Sequence, residues 1–218
     1  MSQMPVNKRH RASRDSERTR AALLATGTEI FAELGFDGAK VGAIAERAGV
    51  NKAMINYHFG GKQGLYTAIL ETTFAEANSA LSVLRGRAES ADELLRRFVE
   101  VWAGIAERRP AFPAMVLREV LSGGRHMDQR VLPSFLGLFE HVREVVERGV
   151  REGTFRPVNP LLTHLALVGS LVFFFATRSF RERLIREGKL PAAIPDTAGF
   201  VRHVQELTTR GLAREGSP

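Results

Sequence analysis

Residues 40–62 read KVGAIAERAGVNKAMINYHFGGK, and how this stretch is parsed decides the fold. Val41, Ile44, Ala45 and Ala48 recur at helical spacing. Gly49 interrupts that pattern within Ala48-Gly49-Val50, and Asn51 then offers a side-chain oxygen to an orphan N–H of a new helix. This helix is short, over 52–58. Ile55 and Phe59, four apart, form its inner side, and Gly60-Gly61 ends it. Two short helices joined by a tight turn of small residues form a helix-turn-helix, which places one helix in a DNA major groove.

Working outward, Leu23, Leu24, Gly27, Ile30, Phe31 and Leu34 form the apolar stripe of a preceding helix over 16–34, stopped by Gly35. Asp37-Gly38 turns the chain into the next helix. A fourth helix spans 62–84, and a polar break over 86–90 separates head from body. Five or six more helices are expected, over 91–108, 113–121, 128–152, 161–177 and 196–214, with a basic exposed segment over 178–189. No stretch alternates at period two. The expected fold class is all-α: an N-terminal three-helix helix-turn-helix DNA-binding domain followed by a helical ligand-binding and dimerisation domain. The expected division is a basic flexible arm over 1–15, the DNA-binding domain over 16–62, and the effector-binding and dimerisation domain over 63–218.

The chain has 218 residues, a formal charge of +7 and no cysteine. The charge favours polyanionic partners. The missing thiols exclude a disulfide framework, thiol catalysis and Cys-ligated zinc. Lys8, Arg9, Arg11 and Arg14 lead into a helical pattern, not into the apolar run of a signal peptide. The apolar stretch 161–177 is at the short limit for a membrane span and includes His164. It reads as a helix shared between the core and a partner subunit, so the expected location is the cytoplasm. Gly60-Gly61-Lys62 lacks the earlier glycine and following hydroxyl of a phosphate loop. No G-x-S-x-G or H-E-x-x-H motif occurs, His126 and His141 look isolated and solvated, and no acid or histidine cluster has metal-ligand spacing. No enzyme, cofactor or metal site is expected.

The expected DNA contacts are Lys40, Asn51, Lys52, Met54, Asn56, Tyr57, His58 and Lys62. Lys52 suits guanine or phosphate, Asn56 an adenine edge, and Met54 a thymine methyl. Tyr57 and His58 suit phosphates. Lys62 adds its charge to the positive end of the fourth helix. Residues from about 20 to 70 resemble the N-terminal domain of the TetR family of bacterial transcriptional regulators. The matching residues are Ala32-Glu33-Leu34-Gly35-Phe36-Asp37-Gly38, Ile44-Ala45, Ala48-Gly49-Val50, Lys52-Ala53, Tyr57-His58-Phe59, Lys62 and Gly64-Leu65-Tyr66. The chain departs from the family pattern at Ala39-Lys40, Gly42, Met54 and Asn56, which bears on the operator sequence.

The resemblance implies an all-helical homodimer. Its head binds double-stranded DNA, and its body binds a small-molecule effector and pairs through the last two long helices, here 161–177 and 196–214. Gly169 and Ser170 are small enough for close helix approach. Phe98, Trp102, Phe112, Met115, Phe135, Phe139 and His164 are the candidates to line a pocket for an apolar effector, although such residues are also ordinary core. The expected function is a ligand-responsive repressor on a palindromic operator. The alternative is a helical small-molecule binding or scaffold protein without specific DNA binding.

Overall fold

The computed structural model describes residues 6–84, 89–191 and 196–214. Within them the chain forms ten helices and no strand. The head comprises α1 (Val6–Gly38), α2 (Val41–Arg47), α3 (Ala53–Phe59) and the start of α4 (Lys62–Leu84). The first helix corrects an expectation: it begins at Val6, so the arm read as flexible over 1–15 is helical from Val6, and residues 1–5 lie outside the described residues. Gly35 breaks α1 as expected, at φ 71, and one more turn reaches Gly38.

The head core forms where Leu23, Ile30 and Phe31 of α1 meet Ile44 of α2, Ile55 of α3, and Leu65 and Ile69 of α4, all buried. Two glycines set how closely the helices approach. A Cβ at Gly27 would stand 3.1 Å from the Leu65 side chain, which seats α1 tightly on α4. A Cβ at Gly64 would stand 1.7 Å from the carbonyl oxygen of Phe59, so only glycine lets α4 start this near the end of α3.

The body comprises α5 (Ala91–Arg108), α6 (Phe112–Leu121), α7 (Leu132–Glu152), α8 (Pro160–Ala176), α9 (Arg178–Arg186) and α10 (Thr197–Leu212). Their starts follow local chemistry. Ser90 accepts from the Glu93 N–H, Asn159 from those of Leu161 and Leu162, and Asp196 from that of Gly199. The expected break over 86–90 falls partly outside the described residues, as do Pro195 and the tail 215–218. Two boundaries differ from expectation. Asp128 folds into a turn with Arg130, so α7 starts at Leu132 and not at 128. The basic segment after α8 is itself a helix, α9, with no buried residue.

Phe74 of α4 centres the body core, edge-on to Phe112 at 5.6 Å and to Phe135 at 5.5 Å. The turn after α7 is held by Phe155, whose ring fills the space a Cβ on Gly149 would take, and by a bridge from 154–156 to the end of α10. One face of α8 (Thr163, Leu167, Leu171, Phe175) is buried. The other exposes Leu162, Leu165 and Phe173 at 65%, 57% and 64%. Among the described residues no single helix is long and apolar enough to cross a membrane, and α8 and α9 meet at a 52° bend.

Candidate nucleic-acid interface

The turn between α2 and α3 is held by backbone bonds from Gly49 N to Glu46 O and from Val50 N to Ala45 O, with Gly49 at φ 67. Asn51 accepts the Ala53 N–H at 2.8 Å, as its position predicts, and α3 begins at Ala53. Ile55 anchors α3 from below, fully buried. Lys40, Asn51, Lys52 and Asn56 are exposed, and Tyr57 is 75% exposed. The ring of His58 lies edge-on to Tyr57 at 4.9 Å and is half-buried. Met54 is also half-buried and packs against the head core, so less of it faces outward than the sequence suggests.

Lys62 departs from expectation. Its Nζ donates to the carbonyls of Phe36 at 2.8 Å and Ala39 at 3.1 Å, and lies 4.3 Å from the centre of the Phe36 ring. The ammonium is thus turned into the protein, where it fastens the start of α4 to the α1–α2 turn. A phosphate contact by Lys62 would have to compete with these bonds.

A polar knot joins the head to the body. Glu119 of α6 is only 2% exposed. Its carboxylate accepts from Tyr66 Oη at 2.7 Å and from the His126 backbone N–H at 2.7 Å, and lies 3.1 Å from His126 Nδ1. The His126 ring stacks on Phe36 at 4.3 Å, and Gln63 donates to the His126 carbonyl. Burial, and then the bond to Glu119, hold the Tyr66 hydroxyl far above its ordinary pKa, so it stays a donor. Arg118 donates to the carbonyls of Ala32 and Glu33 near the end of α1. His126 is therefore partnered and largely covered, and His141 is buried, which corrects the reading of both as solvated. Sequence reasoning missed this knot, because Tyr66 and Glu119 are 53 positions apart and Glu119 belongs to no local motif.

Deeper in the body, four of the seven pocket candidates pack as core, and Phe135, Phe139 and His164 are half-buried. Phe112 and Met115 are fully buried, and Phe98 and Trp102 nearly so. Phe139 and Phe98 stand edge-on to His164 at 5.6 and 6.4 Å, and Phe135 packs on Phe74. A cavity against Phe98 measures about 30 Å³, room for roughly one water. Trp102 Nε1, His164 Nδ1 and Asn78 Oδ1 are buried without a hydrogen-bond partner. The Asn78 amide is oriented by bonds from its nitrogen to the carbonyls of Phe74 and Ser134, which leaves Oδ1 as a free acceptor. Burial lowers the pKa of His164, which favours the neutral ring. Among the described residues no group of His, Asp or Glu could hold a metal ion.

The chain matches the family described as bacterial regulatory proteins, tetR family, over residues 23–69. It matches the tetracyclin repressor-like C-terminal domain over 92–192. It is 29% identical over 208 residues to the HTH-type transcriptional repressor NicS of Pseudomonas putida, covering 93% of this chain and 96% of NicS. It is 24% identical over 162 residues to the HTH-type transcriptional regulator RutR of Escherichia coli, covering 73% and 75%. Among solved structures, the TetR family transcriptional regulator PfmR from Thermus thermophilus superposes with a TM-score of 0.67 at 25% identity. That match covers 88% of this chain and 99% of PfmR.

Proposed function

The chain belongs to the TetR family and is a helix-turn-helix transcriptional regulator, and from that premise we propose that it is a dimeric repressor released from its operator by a small apolar effector. The observation behind this reading is the exposed face of α3, where Lys52, Asn56 and Tyr57 stand out from a helix anchored by Ile55 and capped by Asn51. In a dimer two such faces meet successive turns of one side of the duplex, so the operator is a palindrome with half-sites about 34 Å or a multiple apart. Asn56 reads an adenine edge, while Lys40, Lys52 and Tyr57 bind phosphates or bases at the rim.

Dimerisation uses the open face of α8 together with α10, where Leu162, Leu165, Phe173 and Leu207 are exposed on one chain. The effector enters among α4, α5, α7 and α8 and spreads the core there. It supplies an acceptor to the Trp102 N–H and a donor to Asn78 Oδ1, groups now left unsatisfied at a cost of about 1–3 kcal/mol each. The remainder of the effector is apolar, as its surroundings are. Because α6 packs on α8, holds α1 through Arg118 and holds α4 through Glu119 and Tyr66, a shift of the body reaches α3 through the polar knot. The effector works by binding better to the body shape that no longer fits the operator.

Selection of bound duplexes from random DNA, followed by footprinting, tests this reading. A protected palindrome is expected; Asn56→Ala should cost about 1–3 kcal/mol in its discrimination from a scrambled duplex, and Tyr57→Ala should weaken operator binding. Absence of any selected sequence, or selection unaltered by both substitutions, would defeat the proposal.

A further inference from the structure

The helix-turn-helix over 40–62 carries a net +3, with Lys40, Arg47, Lys52 and Lys62 against Glu46, but the rest of the head offsets it. Residues 21–62 carry four cations, Lys40, Arg47, Lys52 and Lys62, against the four anions Glu29, Glu33, Asp37 and Glu46, and are balanced. Two of these cations are already engaged: Arg47 pairs with Glu33 at 3.0 Å, and Lys62 faces inward. Residues 1–20 carry Lys8, Arg9, Arg11, Arg14, Arg18 and Arg20 against Asp15 and Glu17, a net +4 of the chain's +7.

The structure makes this basic stretch part of a helix. α1 starts at Val6, yet no residue from 14 to 22 is buried, and burial begins at Leu23. Packing therefore does not explain why helix extends so far. Its first turn has no acid, which the helix dipole disfavours, and the Arg14–Arg18 repulsion at i, i+4 is offset by opposite charges at Arg11/Asp15, Arg14/Glu17, Asp15/Arg18 and Glu17/Arg20. What remains is a net +4 on the extension, which attracts a polyanion alongside. The extension also leaves the head beside the recognition helix, because the Arg20 guanidinium sits 5.3 Å from the centre of the Phe59 ring at the end of α3. From Arg20 back to Val6 the helix reaches roughly 20 Å at 1.5 Å per residue, enough to follow several phosphates of one strand.

We infer that the N-terminal extension of α1 is a second DNA-binding element, a rail laid along the phosphate backbone flanking the groove that α3 enters. It supplies most of the sequence-independent affinity, and α3 supplies the reading. The inference rests on the DNA-binding reading above but assigns the charge to a different element. It also accounts for a head whose recognition face offers only Lys40 and Lys52 as cations outside an ion pair.

The test uses the full chain, its Arg14→Gln/Arg18→Gln variant and its Lys8→Gln/Arg9→Gln/Arg11→Gln variant. Each is titrated onto the duplex selected by the unchanged protein and onto a scrambled duplex, across a series of KCl concentrations. The slope of log Kd against log salt should become shallower by about 0.9 for each side chain that meets a phosphate. Affinity for the two duplexes should fall by the same factor, while far-UV dichroism and melting temperature hold. Asn56→Ala should do the opposite, losing discrimination with the slope kept. An unchanged slope in both arginine and lysine variants, or a loss confined to the selected duplex, overturns the rail while leaving the operator reading intact. If the unchanged protein selects no duplex, the operator reading fails and the rail with it.

Discussion

Lys62 shows how far a single residue can be read from sequence. Its place in the motif and its charge both pointed outward, to a phosphate. What turns it inward is a pair of carbonyls, Phe36 and Ala39, and an aromatic face, brought close only by the fold. Replacing it with methionine should therefore cost stability, about 1–3 kcal/mol for two charge-assisted bonds at a half-buried site. The salt dependence of DNA binding should stay unchanged; urea unfolding and salt-series titrations would check the two halves. Asn51 was legible for the opposite reason, because its cap bond closes within three residues. His164 yields a pH prediction. Burial lowers its pKa below the ordinary 6.5, so the unfolded chain takes up the proton more readily than the folded one. Its contribution is neutral above about pH 6.5 and becomes destabilising as pH falls below it. The melting temperature should drop less between pH 7.5 and pH 5 in His164→Leu than in the unchanged protein; equal drops would refute this.

At the scale of elements, the helices with a buried stripe and a local cap were plain in the sequence. α5 was read to its last residue, and α8 and α10 within a residue or two. The misread elements include α1, which begins at Val6 and not at 16, and the whole of α9, which buries no residue and so shows no stripe to read. Gly64 was visible as a motif residue but not as a steric requirement. Its hydrogen occupies a gap in which a methyl group would overlap the Phe59 carbonyl. Gly64→Ala should force α3 and α4 apart. A loss of several kcal/mol is expected, in the range of severe overpacking. Chemical denaturation would measure it, and a loss under about 1 kcal/mol would show that the turn yields easily.

For the whole molecule, the open face of α8 is the feature that one chain leaves unfinished. Leu165→Asp would place a charge in the middle of the proposed contact between subunits. Analytical ultracentrifugation should then find monomers. Operator affinity should fall steeply, because two heads no longer bind together. A variant that stays dimeric would move the interface elsewhere. The division into head and body was only partly legible. The helix-turn-helix announces itself locally, but the knot around Glu119 and the closed core around Trp102 depend on long-range packing that no short motif encodes.

The fourth helix belongs to both halves. Leu65, Tyr66 and Ile69 complete the head, and Phe74 and Ala77 are buried further along the same rod. Anyone building a biosensor by exchanging heads between related regulators should therefore cut after residue 84 and not at 62. A graft that carries a foreign α4 inherits the donor's Glu119 partner and the donor's seat for Phe112. Tyr66 and Phe74 would then have to be chosen as a pair with the recipient's α6, so a sensor's output range is selected along this one helix as much as in its ligand site.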